Sequence, residues 1–185
     1  MILVIDSCVS DNSSTRKFYE AYLKHLNLNA DILYLKDLNI RPLNNEDIKK
    51  RNLLLENKKY DDKMFDLANN FVKYDKIIVA APFWDLSFPS ILKVYFENIS
   101  VVGITFGYEG IRSVGYAKAD EFIYFATAGG YIDKNHQGYL YTKELFKMFG
   151  INNSKSYIID SLDIDISKKE EILNNKKIGK ASCRE

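Results

Sequence analysis

Cysteine is nearly absent: the 185 residues hold only Cys8 and Cys183, near opposite ends of the chain. That excludes a disulfide framework and a cysteine-rich metal site, and a reducing cytoplasm is the expected home. Neither sign of charge predominates, since 26 basic residues face 25 acidic ones. Domains that bind nucleic acid carry a strong basic excess, so that class is excluded. No apolar run approaches the ~20 residues that span a bilayer, and no membrane partner is expected. Residues 1–6 lack a basic region and read as a strand, not a leader. Internal repeats and low-complexity linkers are missing. Also missing are a Gly-x-Ser-x-Gly elbow, a metal-spaced His/Cys/Asp set and a Gly-rich Walker sequence with Lys-Ser/Thr. The last absence argues against hydrolysis of nucleoside triphosphates.

What is present is globular: 46% hydrophobic, 28% charged and 14% aromatic residues, with 13 Tyr and 11 Phe. The length suits one domain, 1–185, with a full core. Apolar runs at 1–5, 31–35, 76–81, 121–126 and 156–160 read as strands. Helical spacing follows from Arg16, over 61–72, from about Ile91 to Val101, over 140–149 and over 168–178, while the polar stretch 44–60 reads as a surface helix or an excursion. Gly150 is placed to end the 140–149 helix. Strands alternating with helices predict an α/β fold: a flavodoxin-like, doubly wound, five-stranded parallel sheet in the order 2-1-3-4-5, with helices on both faces.

In open sheets of this kind, ligands bind beyond the carboxyl ends of the strands. Three loops lie there, 7–15, 82–89 and 127–131, on strands that the topology makes neighbours. The loops are therefore expected to share one crevice. The first, Cys8-Val9-Ser10-Asp11-Asn12-Ser13-Ser14-Thr15, precedes a helix and is dense in hydroxyls. A helix N-terminus offers unsatisfied N–H groups and a dipole that favours an anion. A helix cap also calls for such residues, but needs only one of them. The second, Pro82-Phe83-Trp84-Asp85-Leu86-Ser87-Phe88-Pro89, carries adjacent rings that either hold a flat ligand or cover the sheet edge. The third, Thr127-Ala128-Gly129-Gly130-Tyr131, is a tight turn or a place where backbone approaches a ligand closely.

Other reactive side chains add little. His25 falls inside the first helix. His136 is either an ordinary loop histidine or a proton donor to the crevice. Cys8 reads as a small buried residue, with a reactive thiol as the alternative. A crevice with an anion end and an aromatic end, but no acid–base or nucleophilic set, points to a cofactor that carries the chemistry. FMN suits both ends.

At these residues the chain resembles a known family. Ala81-Pro82-Phe83-Trp84-Asp85-Leu86 resembles the Ala-Pro-Met-Tyr-Asn-Phe loop of FMN-dependent NADH-azoreductases. Leu92-Lys93-Val94-Tyr95-Phe96-Glu97 and Gly103-Ile104-Thr105-Phe106 are similar to that family's Leu-Lys-Asn-Tyr-Phe-Asp and Gly-Val-Thr-Phe. Thr127-Ala128-Gly129-Gly130 is similar to its Ser-Arg-Gly-Gly loop, and the serine-rich stretch after the first strand to its phosphate loop. The motifs run in order to about Ile158; the tail beyond carries none. The resemblance implies a homodimeric NAD(P)H:quinone or azo-compound oxidoreductase. In such a protein NADH or NADPH gives hydride to flavin N5 and leaves, and the acceptor then takes the electrons. It also implies site residues: Ser7, Ser13, Ser14 and Thr15 for the phosphate, and Pro82, Phe83, Trp84, Asp85 and Leu86 along the isoalloxazine. Thr127, Gly129 and Gly130 would bind its pyrimidine edge, while Phe106, Tyr108 and Tyr131 would wall the substrate pocket, of this chain or of the partner subunit. Two departures stand out, Asp85 where Asn is usual and Ala128 where Arg is common. The alternative class is a flavodoxin-like electron carrier without a small-molecule substrate, against which the balanced charge argues. A flavin-free scaffold is the third.

Overall fold

The computed structural model describes residues 1–133 and 136–164. Five parallel strands form the central sheet: β1 (Ile2–Asp6), β2 (Asp31–Tyr34), β3 (Lys76–Ala80), β6 (Glu121–Thr127) and β7 (Asn153–Ile159), in the order β2-β1-β3-β6-β7. Counting only these five, the order is 2-1-3-4-5, as the sequence pattern predicts. The three middle strands are buried on both faces, which explains their nearly unbroken apolar runs. Ile77 and Val79 of β3 join Leu3, Ile5, Phe122 and Tyr124 in one core. Ile78 and Ala80 join Val4, Ile123 and Phe125 in the other.

Helix α1 (Ser14–His25) covers the second core with Phe18, Tyr19 and Leu23. The opposite face is covered by α3 (Asp66–Phe71), α4 (Ser90–Ile99) and α5 (Gln137–Met148), through Phe71, Tyr95, Phe96 and Phe146. Between β2 and α3 runs α2 (Asn45–Glu56), where Asn44 and Asp47 form a reciprocal capping box. The spacing over 61–72 predicts one helix. The structure instead opens that stretch with a 3-10 turn, Lys63–Phe65, because the Asp62 carboxylate accepts from the Met64 amide and sets a new start there. The expected helix at 168–178 lies outside the described residues.

Gly103, Gly107 and Gly110 punctuate residues 103–110. The structure forms an antiparallel hairpin there, β4 (Phe106–Glu109) with β5 (Arg112–Gly115). Phe106 anchors it by burying its ring beside Phe149. Gly115 allows β5 to lie against the chain reversal after α5, since a Cβ on it would stand 1.9 Å from the Gly150 nitrogen. Among the described residues no helix is long and apolar enough to cross a membrane.

Register decides where the loops meet. Asp6 lies opposite Ala80, and Ala80 opposite Phe125, so β1, β3 and β6 end at one level. Beyond the strands the pairing continues: Ser7 N–H donates to the Ala80 carbonyl at 3.0 Å, and Ala81 N–H to that of Phe125 at 2.9 Å.

Candidate functional site

The three loops border one open cavity of about 210 Å³. The first loop contributes Val9, Ser10, Asn12, Ser13 and Ser14; the second Pro82, Phe83 and Trp84; the third Thr127, Ala128 and Gly129.

At the first loop the chain turns into α1, and Ser13 caps it by accepting from the Arg16 amide at 3.4 Å. The amides of Ser14 and Thr15 have no hydrogen-bond acceptor among the described residues. They are orphan donors of the helix N-terminus, next to the Ser13 and Ser14 hydroxyls, and the dipole there favours an anion. Thr15 is buried behind this cradle, where its hydroxyl shares a 2.7 Å hydrogen bond with that of Thr127 and ties the first loop to the third. Ser7 is buried too, and its hydroxyl donates to the Ala80 carbonyl at 2.9 Å. Neither Ser7 nor Thr15 lines the cavity.

The second loop is held to the third by the Phe83 amide, which donates to the Thr127 carbonyl at 3.0 Å. It then reverses tightly, with Trp84 and Ser87 exchanging both backbone hydrogen bonds around Asp85 and Leu86. Those two residues have φ of 48° and 64°. Asp and Asn tolerate this left-handed region better than most residues, so Asp85 can serve the same backbone purpose as the Asn common at that point in the resembled loop. Leu86 has no such excuse and stores strain at the tip of the turn. Trp84 is 47% exposed and lines the cavity, whereas Asp85 and Leu86, at the tip of the turn, do not.

At the third loop the segment after β7 folds back onto the turn. The amides of Ser161, Leu162 and Asp163 donate to the carbonyls of Gly130, Ala128 and Gly129 at 2.9 to 3.1 Å. Leu162 and Asp163 thereby join the cavity wall. Glycine at 129 leaves room for this approach: a Cβ there would stand 1.9 Å from the Asp163 Oδ2, and that side chain would have to turn away. Sequence reasoning found no motif in this tail. A signal existed all the same, since 160–163 follow the carboxyl end of a strand just as the other three loops do.

Gly130, Phe106, Tyr108 and Tyr131 are not among the lining residues. Phe106 is buried with its ring 5.7 Å from that of Tyr108, and Tyr108 and Tyr131 project outward, the latter 71% exposed.

Burial holds two groups near the cavity toward their neutral forms. His136 is buried as the cap of α5, its Nδ1 accepting from the Tyr139 amide at 3.4 Å. Burial, opposed by the charge of Asp133, pushes its pKa down to about 4, so the ring is neutral near pH 7. Its plane meets that of Phe83 edge-on at 5.6 Å. Cys8 is fully buried, and burial together with the Asp6 carboxylate pushes its thiol up, which suppresses the thiolate. His25 is exposed at the end of α1. No group of His, Cys, Asp or Glu suited to a metal ion occurs among the described residues. The site can therefore bind an anion at one end and a flat ring at the other, but holds no nucleophile or poised acid–base pair of its own.

A family model described as the flavodoxin-like fold matches residues 1–179. An FMN-dependent NADH:quinone oxidoreductase of Clostridium perfringens (strain SM101) is 38% identical over 108 residues, 57% of this chain and 54% of the relative. The chain thus spans about half the length of that relative. A protein of the same name from Lachnoclostridium phytofermentans is 31% identical over 150 residues, 80% of this chain and 76% of the relative. In three dimensions the chain is similar to an azoreductase from Bacillus anthracis (Sterne), with a TM-score of 0.81 at 20% identity, covering 97% of this chain and 95% of that one. An FMN-dependent NADH-azoreductase from Bacillus anthracis (Ames Ancestor), solved in complex with FMN, gives a TM-score of 0.73 at 19% identity, covering 97% and 96%. At such identities these structures speak for the fold alone. With that family model matched over residues 1–179 and a sheet in the flavodoxin-like strand order, this chain belongs to the flavodoxin-like fold family.

Proposed function

We propose that this chain is an FMN-dependent NAD(P)H oxidoreductase that reduces quinones or azo compounds, with 1–185 acting as a single FMN-binding domain. The observation that carries the proposal is the convergence of an amide- and hydroxyl-lined helix start with an aromatic loop and a Thr-Ala-Gly turn on one cavity. The names of the curated relatives support the same reading. In it, the Ser14 and Thr15 amides and the Ser13 and Ser14 hydroxyls hold the FMN phosphate. Pro82, Phe83 and Trp84 line the isoalloxazine, and Thr127 to Gly129 bound its pyrimidine edge. FMN, when bound, supplies the two-electron transfer between NADH or NADPH and a flat acceptor. The protein's part is to hold the ring, exclude water from one face and leave the other open to donor and acceptor in turn.

The same reading includes a homodimer in the cytoplasm. Ile111 at the hairpin tip is 100% exposed, and Tyr108, Tyr116, Trp84 and Leu86 also present apolar surface to solvent. In this reading a second copy covers these side chains and brings Tyr108 toward a cavity that its own chain leaves open. The test is an anaerobic titration of purified, FMN-reconstituted protein with NADH and NADPH, followed by menadione, with mass measured by light scattering. Flavin bleaching and its return on adding menadione are expected, at a dimer's mass. Failure to take up FMN sinks the assignment; uptake without reduction by either nucleotide turns it to an electron carrier.

A further inference from the structure

We infer that Arg16 is the positioning residue for phosphate binding: it turns the Cys8, Ser10 and Asp11 carbonyls toward itself, so that they do not face a bound anion and the Val9 N–H can. The inference rests on the FMN reading above. Arg16 lies in the first turn of α1, with its side chain only 11% exposed. Its guanidinium reaches back to Asp6, the last residue of β1, with Nε at 2.7 Å from Oδ2 and Nη2 at 3.4 Å from Oδ1. Asp6 is fully buried and also accepts from the Cys8 amide at 2.7 Å and the Tyr19 hydroxyl at 3.0 Å. A buried carboxylate persists only with such a full set of donors.

The remaining donors of the fork go to backbone. Nη2 donates to the Cys8 carbonyl at 2.8 Å, and Nη1 to those of Ser10 at 3.1 Å and Asp11 at 3.4 Å. The Tyr34 ring lies 5.3 Å from the guanidinium carbon and covers it. In a trans peptide the C=O of one residue and the N–H of the next point in opposite directions. With carbonyls 8, 10 and 11 aimed at Arg16, the amides of Val9, Asp11 and Asn12 point away from it. Val9 and Asn12 line the cavity, but the Asn12 amide donates to the Ser10 hydroxyl at 3.3 Å, so the N–H left to face an anion there is that of Val9. Without the fork, carbonyl oxygens would be free to rotate toward the anion and repel it. Arg16 itself does not line the cavity, and its charge is balanced by Asp6, so it acts on the ligand through the loop. A lysine keeps the charge but lacks the planar set of donors needed to reach a carboxylate and three carbonyls together.

The test compares FMN with riboflavin, which has the same ring and no phosphate, on wild-type protein and on Arg16→Lys, Arg16→Gln and Tyr19→Phe. Tyr19→Phe removes one donor from Asp6 and leaves the loop carbonyls in place. Both Arg16 variants are expected to weaken FMN by about tenfold or more, the scale of lost hydrogen bonds to a charged group. Riboflavin binding should stay within about twofold, and Tyr19→Phe should retain wild-type discrimination even where its melting temperature falls. Equal loss for both ligands, wild-type FMN affinity in Arg16→Lys, or the same loss in Tyr19→Phe overturns the inference. So does failure of both Arg16 variants to fold, which would assign the pair to the core. If wild-type protein binds neither ligand, the FMN reading falls, and amide hydrogen exchange decides the role of Arg16 separately. Faster exchange across residues 8–13 in Arg16→Lys supports loop positioning, and unchanged exchange refutes it.

Discussion

Lowering the pH should destabilise this protein through one buried side chain. His136 sits under the second loop, against Phe83 and Tyr124, and its Nε2 is buried without a partner among the described residues. Its pKa falls from the ordinary 6.5 to about 4 on folding. A depressed pKa means that the unfolded chain binds the proton first. The stabilisation is therefore complete above about pH 6.5 and is lost as pH falls from there to about 4. At 1.36 kcal/mol per unit, the loss attributable to His136 is about 3 kcal/mol, a substantial part of an ordinary domain's stability. The variant to compare is His136→Asn, because Asn can still accept from the Tyr139 amide and preserve the cap of α5. Urea unfolding of both proteins at several pH values between about 7.5 and 4 reads the effect. Wild-type stability should fall more steeply, by about 1.4 kcal/mol per pH unit at the steepest, and the two curves should run parallel above about pH 7. Curves that stay parallel throughout would refute the argument, since they would show that burial does not hold His136 neutral.

Two glycines should respond differently to the same methyl group. Gly115→Ala would drive its Cβ to 1.9 Å from the backbone at Phe149 and Gly150, which cannot yield cheaply, so a loss of about 3 kcal/mol is expected in urea unfolding. Gly129→Ala meets only the end of the Asp163 side chain, so it should cost about 1 kcal/mol or less while narrowing the cavity and weakening FMN by about tenfold in a binding titration. Leu86→Gly should not cost what removing a leucine usually does: with φ at 64° and 75% exposure, stability should hold steady or rise by up to about 1 kcal/mol, and a loss larger than that would refute strain at the turn.

Much of the site is legible in the amino-acid sequence because it follows from local pattern. The apolar runs at 76–81 and 121–126 sit on both-faces-buried strands, and Ser13-Ser14 and Pro82-Phe83-Trp84 stand where such strands release the chain. Other assignments failed to read out for a shared reason. Phe106 looks like a pocket aromatic in a glycine-rich stretch, yet the hairpin that buries it depends on contact with Phe149, far along the chain. Ser7 and Thr15 are hydroxyl residues beside others that line the cavity, and only the direction of each side chain separates them. That direction is set by Ala80 and Thr127, their partners on neighbouring strands.

The sequence by itself determined the alternation of strands and helices, the strand order, and the three segments that gather at one end of the sheet. Periodicity of two and of 3.6 residues, together with chain connectivity, is enough for these. Tertiary structure alone decided that Asp163 closes on Gly129, that Arg16 grips Asp6 and three carbonyls, and that His136 is sealed from water. Each of these depends on which way a side chain points and on what a distant segment places in front of it, and neither is encoded in spacing along the chain.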